Sequence, residues 1–268
     1  MYDYHTHSSF SDDCPTPMEE LIKTAVEIGI REIAVTDHYD PDSPEIDCPN
    51  ELDFPRYHQN LTEMKEKYRD RIKVLKGVEI GLQESDKTLE KCRAAANSYD
   101  YDYILGAFHF AEGHDIYHRH LFENKTVEEA YIVYYTMVRD CLRKYKDFDV
   151  LAHFNIIDRY PDHIADWPVY AELAEEILKI VIADGKGLEI NTSSSRYGMG
   201  ERTIPSEEIL RLYAELGGEI VTIGSDAHRA KDVGYRLRDA AEMLRSAGFR
   251  YLTLFEERKP RFIKLESL

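Results

Sequence analysis

Two histidines near the start of the chain have the spacing of metal ligands. His5 and His7 are one residue apart, after an apolar start and before a turn rich in Ser and Asp. In a β-strand, residues i and i+2 point to the same face, so the two imidazoles would face one space. Two neutral imidazoles on one face suit zinc, iron or manganese. A His-x-His pair also arises easily by chance in a chain with 11 histidines, so it needs support from elsewhere.

That support comes from the ends of the later predicted strands, which repeatedly carry His, Glu or Asp. The strand-end residues are His5 and His7, then His38, Glu79, His109, His153, and finally Asp226 with His228. A single strand-end histidine is more often structural, but the carboxyl ends of the strands in a β/α barrel share one rim, where active sites are built. The set exceeds the needs of one ion. It predicts a binuclear or trinuclear site with a bridging carboxylate, most simply Glu79.

The elements that would position these residues alternate between strand and helix along the whole chain. Predicted strands follow the opening one at 32–36, 72–80, 103–109, 148–153, 188–191, 219–226 and 250–254. Predicted helices cover 15–27, 56–69, 85–98, 126–145, 168–184 and 232–246, and a further helix begins at Pro205. Thr16 is the predicted N-cap of the first helix. A basic segment, 258–261, follows the last strand. The strands are continuous apolar runs, typical of parallel strands buried on both faces. We predict one domain over residues 1–268, an α/β barrel, with a doubly wound open sheet as the alternative.

Composition narrows the function classes. The chain has 268 residues, 43% hydrophobic and 32% charged, and no apolar run long enough to cross a membrane. The first 20 residues lack the pattern of a signal peptide, and the four widely spaced cysteines suit reduced thiols, so we expect a cytoplasmic protein. A net charge of −17 argues against a nucleic-acid partner. The oligomeric state is left open.

Four motifs in order resemble the polymerase and histidinol phosphatase (PHP) superfamily. They are His5-Thr6-His7, Thr36-Asp37-His38, the Glu79 and His109 pair with His153, and Ser225-Asp226-Ala227-His228. The resemblance covers essentially the whole chain. It implies a distorted parallel barrel of seven β/α units that commonly holds three metal ions, and therefore two to three divalent ions (Zn, Fe or Mn) here.

The resemblance also implies three ligand sets. The first ion would be held by His5, His7, Glu79 and Asp226. Glu79 would bridge to a second ion bound by His109 and His153. Asp13, with Asp12 as the alternative, would bind the third ion together with His38 and His228. Glu79, Asp226 and His228 are the predicted catalytic residues, and Asp37 is expected to orient ligands rather than to bind a metal.

Within the superfamily, the segments 155–160 and 255–265 look like the histidinol-phosphate phosphatase branch. That branch implies hydrolysis of L-histidinol phosphate to L-histidinol and phosphate in histidine biosynthesis. Clustered divalent ions favour phosphomonoester hydrolysis because they lower the pKa of bound water and neutralise phosphate.

Arg159 and Arg196 follow strands five and six, and we predict that they bind phosphate, although each is as easily read as a surface salt bridge. The loop 110–125 is either a lid or a solvated loop.

Two other functions stay open at this point. Another PHP-type phosphoesterase, acting on a different small phosphate ester or a diester, would keep the metals and change the lid and the arginines. A non-catalytic metal-binding module is less favoured because it needs closed coordination, whereas the predicted ligands leave room for water.

Overall fold

Parallel strands form the main sheet. The computed structural model describes residues 1–43, 52–200 and 202–268. The sequence also predicts a loop at 41–55, which is rich in Pro and Asp and includes Cys48, and this loop lies partly outside the described residues. The strands are β1 Tyr2–Thr6, β2 Glu32–Val35, β3 His38–Tyr39, β4 Lys73–Gly81, β5 Tyr103–Ala107, β6 Phe110–Ala111, β7 His114–Asp115, β8 Val150–Leu151, β9 Gly187–Asn191, β10 Val221–Gly224, β11 Tyr251–Glu256 and β12 Lys259–Lys264. The main sheet runs β1-β2-β4-β5-β8-β9-β10, with β3 beside β4, and its pairings are parallel.

The two outer strands of this sheet approach each other, which nearly closes it into a barrel. The amide of Asp226 donates to the carbonyl of His5 at 2.8 Å, and that of His7 donates to the carbonyl of Ala227 at 2.9 Å. Asp3 in β1 accepts bonds from the amide and hydroxyl of Ser225 at 2.8 and 2.6 Å. The predicted distorted β/α barrel is therefore confirmed, and the open sheet is not the fold.

Helices surround the sheet, each with a buried apolar face. They are α1 Met18–Glu27, α2 Phe54–Tyr68, α3 Asp86–Asn97, α4 Val127–Lys144, α5 Trp167–Ala183, α6 Glu207–Glu215 and α7 Leu237–Ser246. Thr126 and Glu129 form a capping box at the start of α4, which satisfies amides that have no partner within the helix. None of the helices in the described ranges is long and apolar enough to cross a membrane.

Three predicted helix starts are wrong, among them that of α7, which begins at Leu237 rather than at residue 232. Pro17, not Thr16, precedes α1, and the Thr16 hydroxyl instead donates to the carbonyl of His228 at 3.3 Å. Helix α6 begins after Ser206, whose side chain accepts from the amide of Ile209, rather than at Pro205. At the start of α6, the Ser206 side chain satisfies a helix amide that has no partner within the helix, which the side chain of Pro205 could not do.

The predicted basic segment after the last strand is also different in the structure. Residues 259–264 form β12, which pairs antiparallel with β11 in a hairpin. Arg258 contacts Asp149 at 3.1 Å and Arg261 pairs with Glu32, so the hairpin crosses the amino ends of the barrel strands. These cations neutralise buried carboxylates at the end of the barrel opposite the predicted site.

Closure of the barrel depends on a glycine in β10. A Cβ at Gly224 would lie 2.4 Å from the Cβ of His5 and 2.4 Å from Oε1 of Glu189. We therefore expect Gly224→Ala to lower the free energy of unfolding by about 1–3 kcal/mol, the usual cost of overpacking, measured by urea titration. Gly106→Ala in β5 is the control, because its nearest contact is the Phe148 side chain at 3.0 Å. Equal stability of the two variants would contradict this reading.

Candidate metal centre and active site

The predicted ligands meet at the carboxyl end of the barrel strands. They lie within or just after strand ends: His5 and His7 at β1, His38 in β3, Glu79 in β4, His109 after β5, His153 after β8, and Asp226 and His228 after β10. Most are buried, and His5, His7 and Glu79 have no exposed surface. Parallel strands bring their carboxyl ends together, so residues far apart in the chain become neighbours.

Glu79 lies at the centre of this cluster, with histidines on both carboxylate oxygens. Its Oε2 is 3.3 Å from Nε2 of His5, 3.5 Å from Nε2 of His7 and 2.9 Å from Nδ1 of His38. Its Oε1 is 2.7 Å from Nε2 of His153 and 3.5 Å from Nε2 of His109. A carboxylate shared in this way has the geometry needed to bridge two ions.

Asp226 faces the same two N-terminal histidines. Its Oδ1 is 3.7 Å from Nε2 of His5 and 3.4 Å from Nε2 of His7. The two Nε2 atoms are themselves 2.9 Å apart. The four residues of the first predicted ligand set, His5, His7, Glu79 and Asp226, therefore lie together, and their binding of a metal stays a prediction.

The third predicted set gathers at the more open side of the cluster. Oδ2 of Asp13 is 3.2 Å from Nε2 of His228 and 3.7 Å from Nε2 of His38. The ring of His7 packs against those of His38 and His228, with centroids 4.2 and 4.1 Å away, and the latter two rings are 5.7 Å apart. Of the two aspartates considered from the sequence, Asp13 is the one that approaches these histidines.

The donor atoms fit divalent metal ions. Four groups of three ligand atoms lie within 4.8 Å of one another: His5–Glu79–His153, His5–His7–Asp226, His38–Glu79–His109 and His7–His38–His228. Glu79 Oε2 and His38 Nδ1 lie 2.9 Å apart, but both atoms are buried and neither makes a hydrogen bond of normal geometry. Buried polar atoms normally make a hydrogen bond, so atoms in this cluster that lack one are available to bind a metal ion. Which atom binds which ion stays a prediction.

Electrostatics at the centre favour ionised carboxylates. Burial alone would raise the pKa of Glu79, but His5, His38 and His109 hold it well below its usual value. The pKa of Asp226 is likewise well below its usual value, because His5, His7 and His228 outweigh burial. The carboxylates in turn raise the pKa of His38 to about 9 against the effect of burial. Metal ions binding here would displace protons from imidazolium groups.

Two backbone conformations at the site are unusual. His153 and Asp226 have φ values of 25° and 54°, in the left-handed region that non-glycine residues seldom occupy. Each residue is held by its surroundings: the amide of Asp226 bonds to His5, and that of His153 bonds to Glu189 at 3.0 Å. Strained backbone of this kind clusters at functional sites.

Hydrogen bonds at Nδ1, the ring nitrogen that faces away from Glu79, orient His5, His7 and His109. Asp37 accepts from the hydroxyls of Ser8 and Ser11 at 2.6 and 2.7 Å, and the Ser11 oxygen is 3.2 Å from Nδ1 of His7. Asp37 thus orients a ligand, as expected. Sequence reasoning missed the other two partners: Asp40, 2.8 Å from Nδ1 of His109, and Glu189, 2.7 Å from Nδ1 of His5.

The available signals for these two residues were weak. Asp40 follows the Thr36-Asp37-His38 motif by two residues, between that motif and the predicted loop at 41–55. It fits because Gly81 has no side chain beside it. Glu189 is the one acidic residue in the predicted strand 188–191, between the apolar residues Leu188 and Ile190. A glutamate in a buried strand needs a partner, and that could have been noticed.

Arg159 lies beside the cluster of predicted metal ligands. Its side chain is only 3% exposed, and Nη2 donates to Ser193 at 2.6 Å, Asn191 at 3.2 Å and Asp226 at 3.4 Å. The guanidinium lies over the ring of Tyr197 at 4.4 Å, and its buried Nε has no hydrogen-bond partner. Arg159 is therefore a buried residue of the site and does not form a salt bridge on the surface.

Arg196 is placed differently. Its Nη2 donates to the backbone carbonyls of Ser225 and Asp226 at 2.8 and 2.7 Å, behind the metal cluster. Its Nη1 is buried without a hydrogen-bond partner. These hydrogen bonds hold the backbone of Asp226, which has a positive φ. Phosphate binding by Arg196 stays a prediction.

The loop 110–125 has local secondary structure, and many of its residues are exposed, among them 112–114 and 117–119. It contains the β6–β7 hairpin and a short 3-10 helix at His120–Phe122, with Ile116 and Leu121 buried. Tyr117 is 61% exposed and lies 5.9 Å from the ring of Tyr160, close to Arg159 in the chain. The loop therefore borders the site, and its role as a lid stays a prediction.

The cluster predicts the result of single substitutions. We expect His5→Ala, Glu79→Ala, His153→Ala or Asp226→Ala to lower metal content and remove most activity without unfolding the protein, since each removes a buried ligand atom. Metal analysis and circular dichroism measure both effects. His163→Ala and His58→Ala are controls, because His163 pairs with Glu128 and His58 stacks on Tyr99. Full metal and full rate in Glu79→Ala would exclude a multinuclear centre.

Comparisons with known proteins agree with this geometry. The PHP domain family model matches residues 3–193. A probable histidinol-phosphatase of Clostridium acetobutylicum is 31% identical over 262 residues, covering 96% of this chain and 98% of that protein. The histidinol-phosphatase of Lactococcus lactis is 27% identical and covers 96% of this chain and 95% of its own.

A solved structure is similar over the same length. It is the crystal structure of histidinol phosphate phosphatase from Lactococcus lactis complexed with zinc, L-histidinol and phosphate. Its TM-score is 0.86 at 25% identity, and the match covers 97% of this chain and 98% of that one. The likeness therefore includes both the barrel and its rim.

Proposed function

This chain belongs to the PHP domain family, and we propose that it is a metal-dependent histidinol-phosphatase, which hydrolyses L-histidinol phosphate to L-histidinol and phosphate in histidine biosynthesis. The observation that carries the proposal is the buried Glu79 with histidines on both oxygens. Near full-length similarity to histidinol-phosphatases identifies the branch of the family.

We propose that two to three divalent ions are held at the rim, by the three ligand sets described above. Zinc is the first candidate, because the similar Lactococcus lactis enzyme is complexed with it, and iron and manganese suit the same imidazole and carboxylate donors. When bound, such ions lower the pKa of a coordinated water and neutralise charge on the phosphate.

The chain's own residues would bind and orient the substrate. Arg159 can present its unpartnered Nε to a phosphate oxygen while Asn191 and Ser193 hold its Nη2. His228 is 22% exposed, whereas Glu79 has no exposed surface, so of the two His228 lies nearer to the side of the site that a substrate can reach. Arg196 keeps Asp226 in position, and its contact with phosphate remains part of the proposal.

We also propose a cytoplasmic enzyme acting on a small phosphate ester. Support comes from the free, buried thiols of Cys14, Cys92 and Cys141, which suit a reducing compartment. The strong negative charge of the chain, −17, disfavours a polyanionic partner such as nucleic acid. It favours a leaving group that carries positive charge, as histidinol does.

Arg159 provides the first kinetic prediction. Arg159→Ala should cost on the order of 1.5–3 kcal/mol in kcat/KM, the range for hydrogen bonds to charged groups, with metal content unchanged. Steady-state kinetics and metal analysis measure the two quantities. Arg196→Ala is the comparison: an equal kinetic loss with full metal would support phosphate binding, while a loss of metal would identify it as a brace for Asp226. Unaltered kinetics in Arg159→Ala would remove it from the substrate site.

A panel of phosphomonoesters tests the substrate. At fixed metal and pH, we expect histidinol phosphate to exceed sugar phosphates, nucleotides and an aromatic chromogenic ester in kcat/KM by about a hundredfold or more, roughly 2.7 kcal/mol of differential transition-state binding. A flat panel, or a nucleotide in first place, would leave a metal-dependent phosphatase with a different substrate. Chelator-treated enzyme is the control and should be inactive towards every ester.

A further inference from the structure

Glu189 occupies a central and fully buried position in the barrel, although it is not one of the predicted ligands. It lies in β9, with no exposed surface, and Gly224 on β10 leaves the space for its carboxylate. Burying a carboxylate is unfavourable unless it is paired and hydrogen-bonded. Its partners therefore indicate why it is there.

Three hydrogen-bond donors converge on the two oxygens of Glu189. Oε1 is 2.7 Å from Nδ1 of His5, while Oε2 accepts from the backbone amide of His153 at 3.0 Å and from the side-chain amide of Asn191 at 3.2 Å. The carboxylate supplies only acceptors, so each contact needs the partner to donate. His5 must then carry its proton on Nδ1 and present Nε2 to the cluster.

His5 and His153 are consequently held between two buried carboxylates. On the inner side, their Nε2 atoms are 3.3 and 2.7 Å from the oxygens of Glu79. On the outer side, Glu189 binds the ring of one and the backbone of the other. The backbone contact matters because His153 has a φ of 25°, and its own Nδ1 is buried without a hydrogen-bond partner.

We propose that Glu189 is a positioning residue that fixes the tautomer of His5 and the backbone of His153, so that both imidazoles present Nε2 to the ions bridged by Glu79. This inference rests on the proposed function, since it concerns the same metal centre. Partners in this outer position orient ligand histidines and increase their basicity, and their loss typically costs 10–100-fold in metal affinity or activity.

An amide cannot replace this carboxylate. Glutamine has nearly the same shape but offers one acceptor oxygen and one NH2 donor. In Glu189→Gln, the NH2 group would face either Nδ1–H of His5 or the amide of His153, so one of the two contacts becomes donor against donor. Glu189→Asp keeps both acceptor oxygens and shortens the side chain by one methylene group.

The matched control is Glu32→Gln. Glu32 is also a buried strand glutamate with two partners, Tyr4 at 2.9 Å and Arg261, but it lies at the amino end of β2, away from the metal cluster. Loss of stability from removing a buried charge is common to both variants. Only Glu189→Gln should change the metal centre.

The experiment is metal retention. Zinc-loaded protein is equilibrated against buffers of graded free zinc, and bound zinc is measured by elemental analysis; cobalt-loaded samples give the visible absorption spectrum. We expect half-loss of zinc in Glu189→Gln at a 10–100-fold higher free zinc concentration than in the wild type, with an altered cobalt spectrum. Glu32→Gln should stay within about twofold of the wild type on the same scale.

Several outcomes would overturn the inference. They are wild-type retention and spectrum in Glu189→Gln, an equal loss in Glu32→Gln, and weaker retention in Glu189→Asp than in Glu189→Gln. If Glu189→Gln does not fold, Glu189→Asp against the wild type decides, with reduced zinc retention expected and wild-type retention excluding the role. Absence of metal binding by the wild type would instead contradict the proposed function.

Discussion

The pairing of one buried carboxylate with surrounding imidazoles is the interaction on which the site depends. Glu79 is removed from water, where an unpaired charge would be strongly unfavourable. It is balanced by histidines that reach it from the ends of β1, β5 and β8 and from within β3. The same atoms can be compensated either by protons on the imidazoles or by divalent ions, so the barrel can keep one geometry as metals bind.

The sequence predicts the barrel and the ligand cluster well because both depend on patterns that are local in the chain. Apolar strand segments, each followed by His, Glu or Asp, place those residues on one rim in any parallel barrel. Asp40 and Glu189 were missed because their importance comes from contacts with His109 and His5, 69 and 184 residues away. The β11–β12 hairpin was missed for a similar reason: Arg258 and Arg261 are charged, but their partners Asp149 and Glu32 lie in distant strands.

Arg159 and Asp226, the residues proposed to bind phosphate and metal, share a support at the end of β9. The amide oxygen of Asn191 accepts from Arg159 at 3.2 Å, and its nitrogen donates to Asp226 and Glu189, each at 3.2 Å. Ser193 repeats the link, since its hydroxyl contacts both Arg159 and Asp226. A rigid strand end thus sets the position of the guanidinium relative to the ligands, which is how scaffolds achieve the precision that such chemistry requires.

Closure of the barrel between β1 and β10 has a consequence for how the protein acquires its site. The bonds of Asp3 with Ser225 join residues 222 positions apart, and His5 needs Asp226 across the same seam. Contacts of such high sequence separation are slow to form, because the loop-closure entropy is lost before they contribute. A nascent chain that has not yet released residues 225–228 from the ribosome lacks part of the metal cluster. The cluster of predicted ligands is therefore complete only after most of the chain has been synthesised.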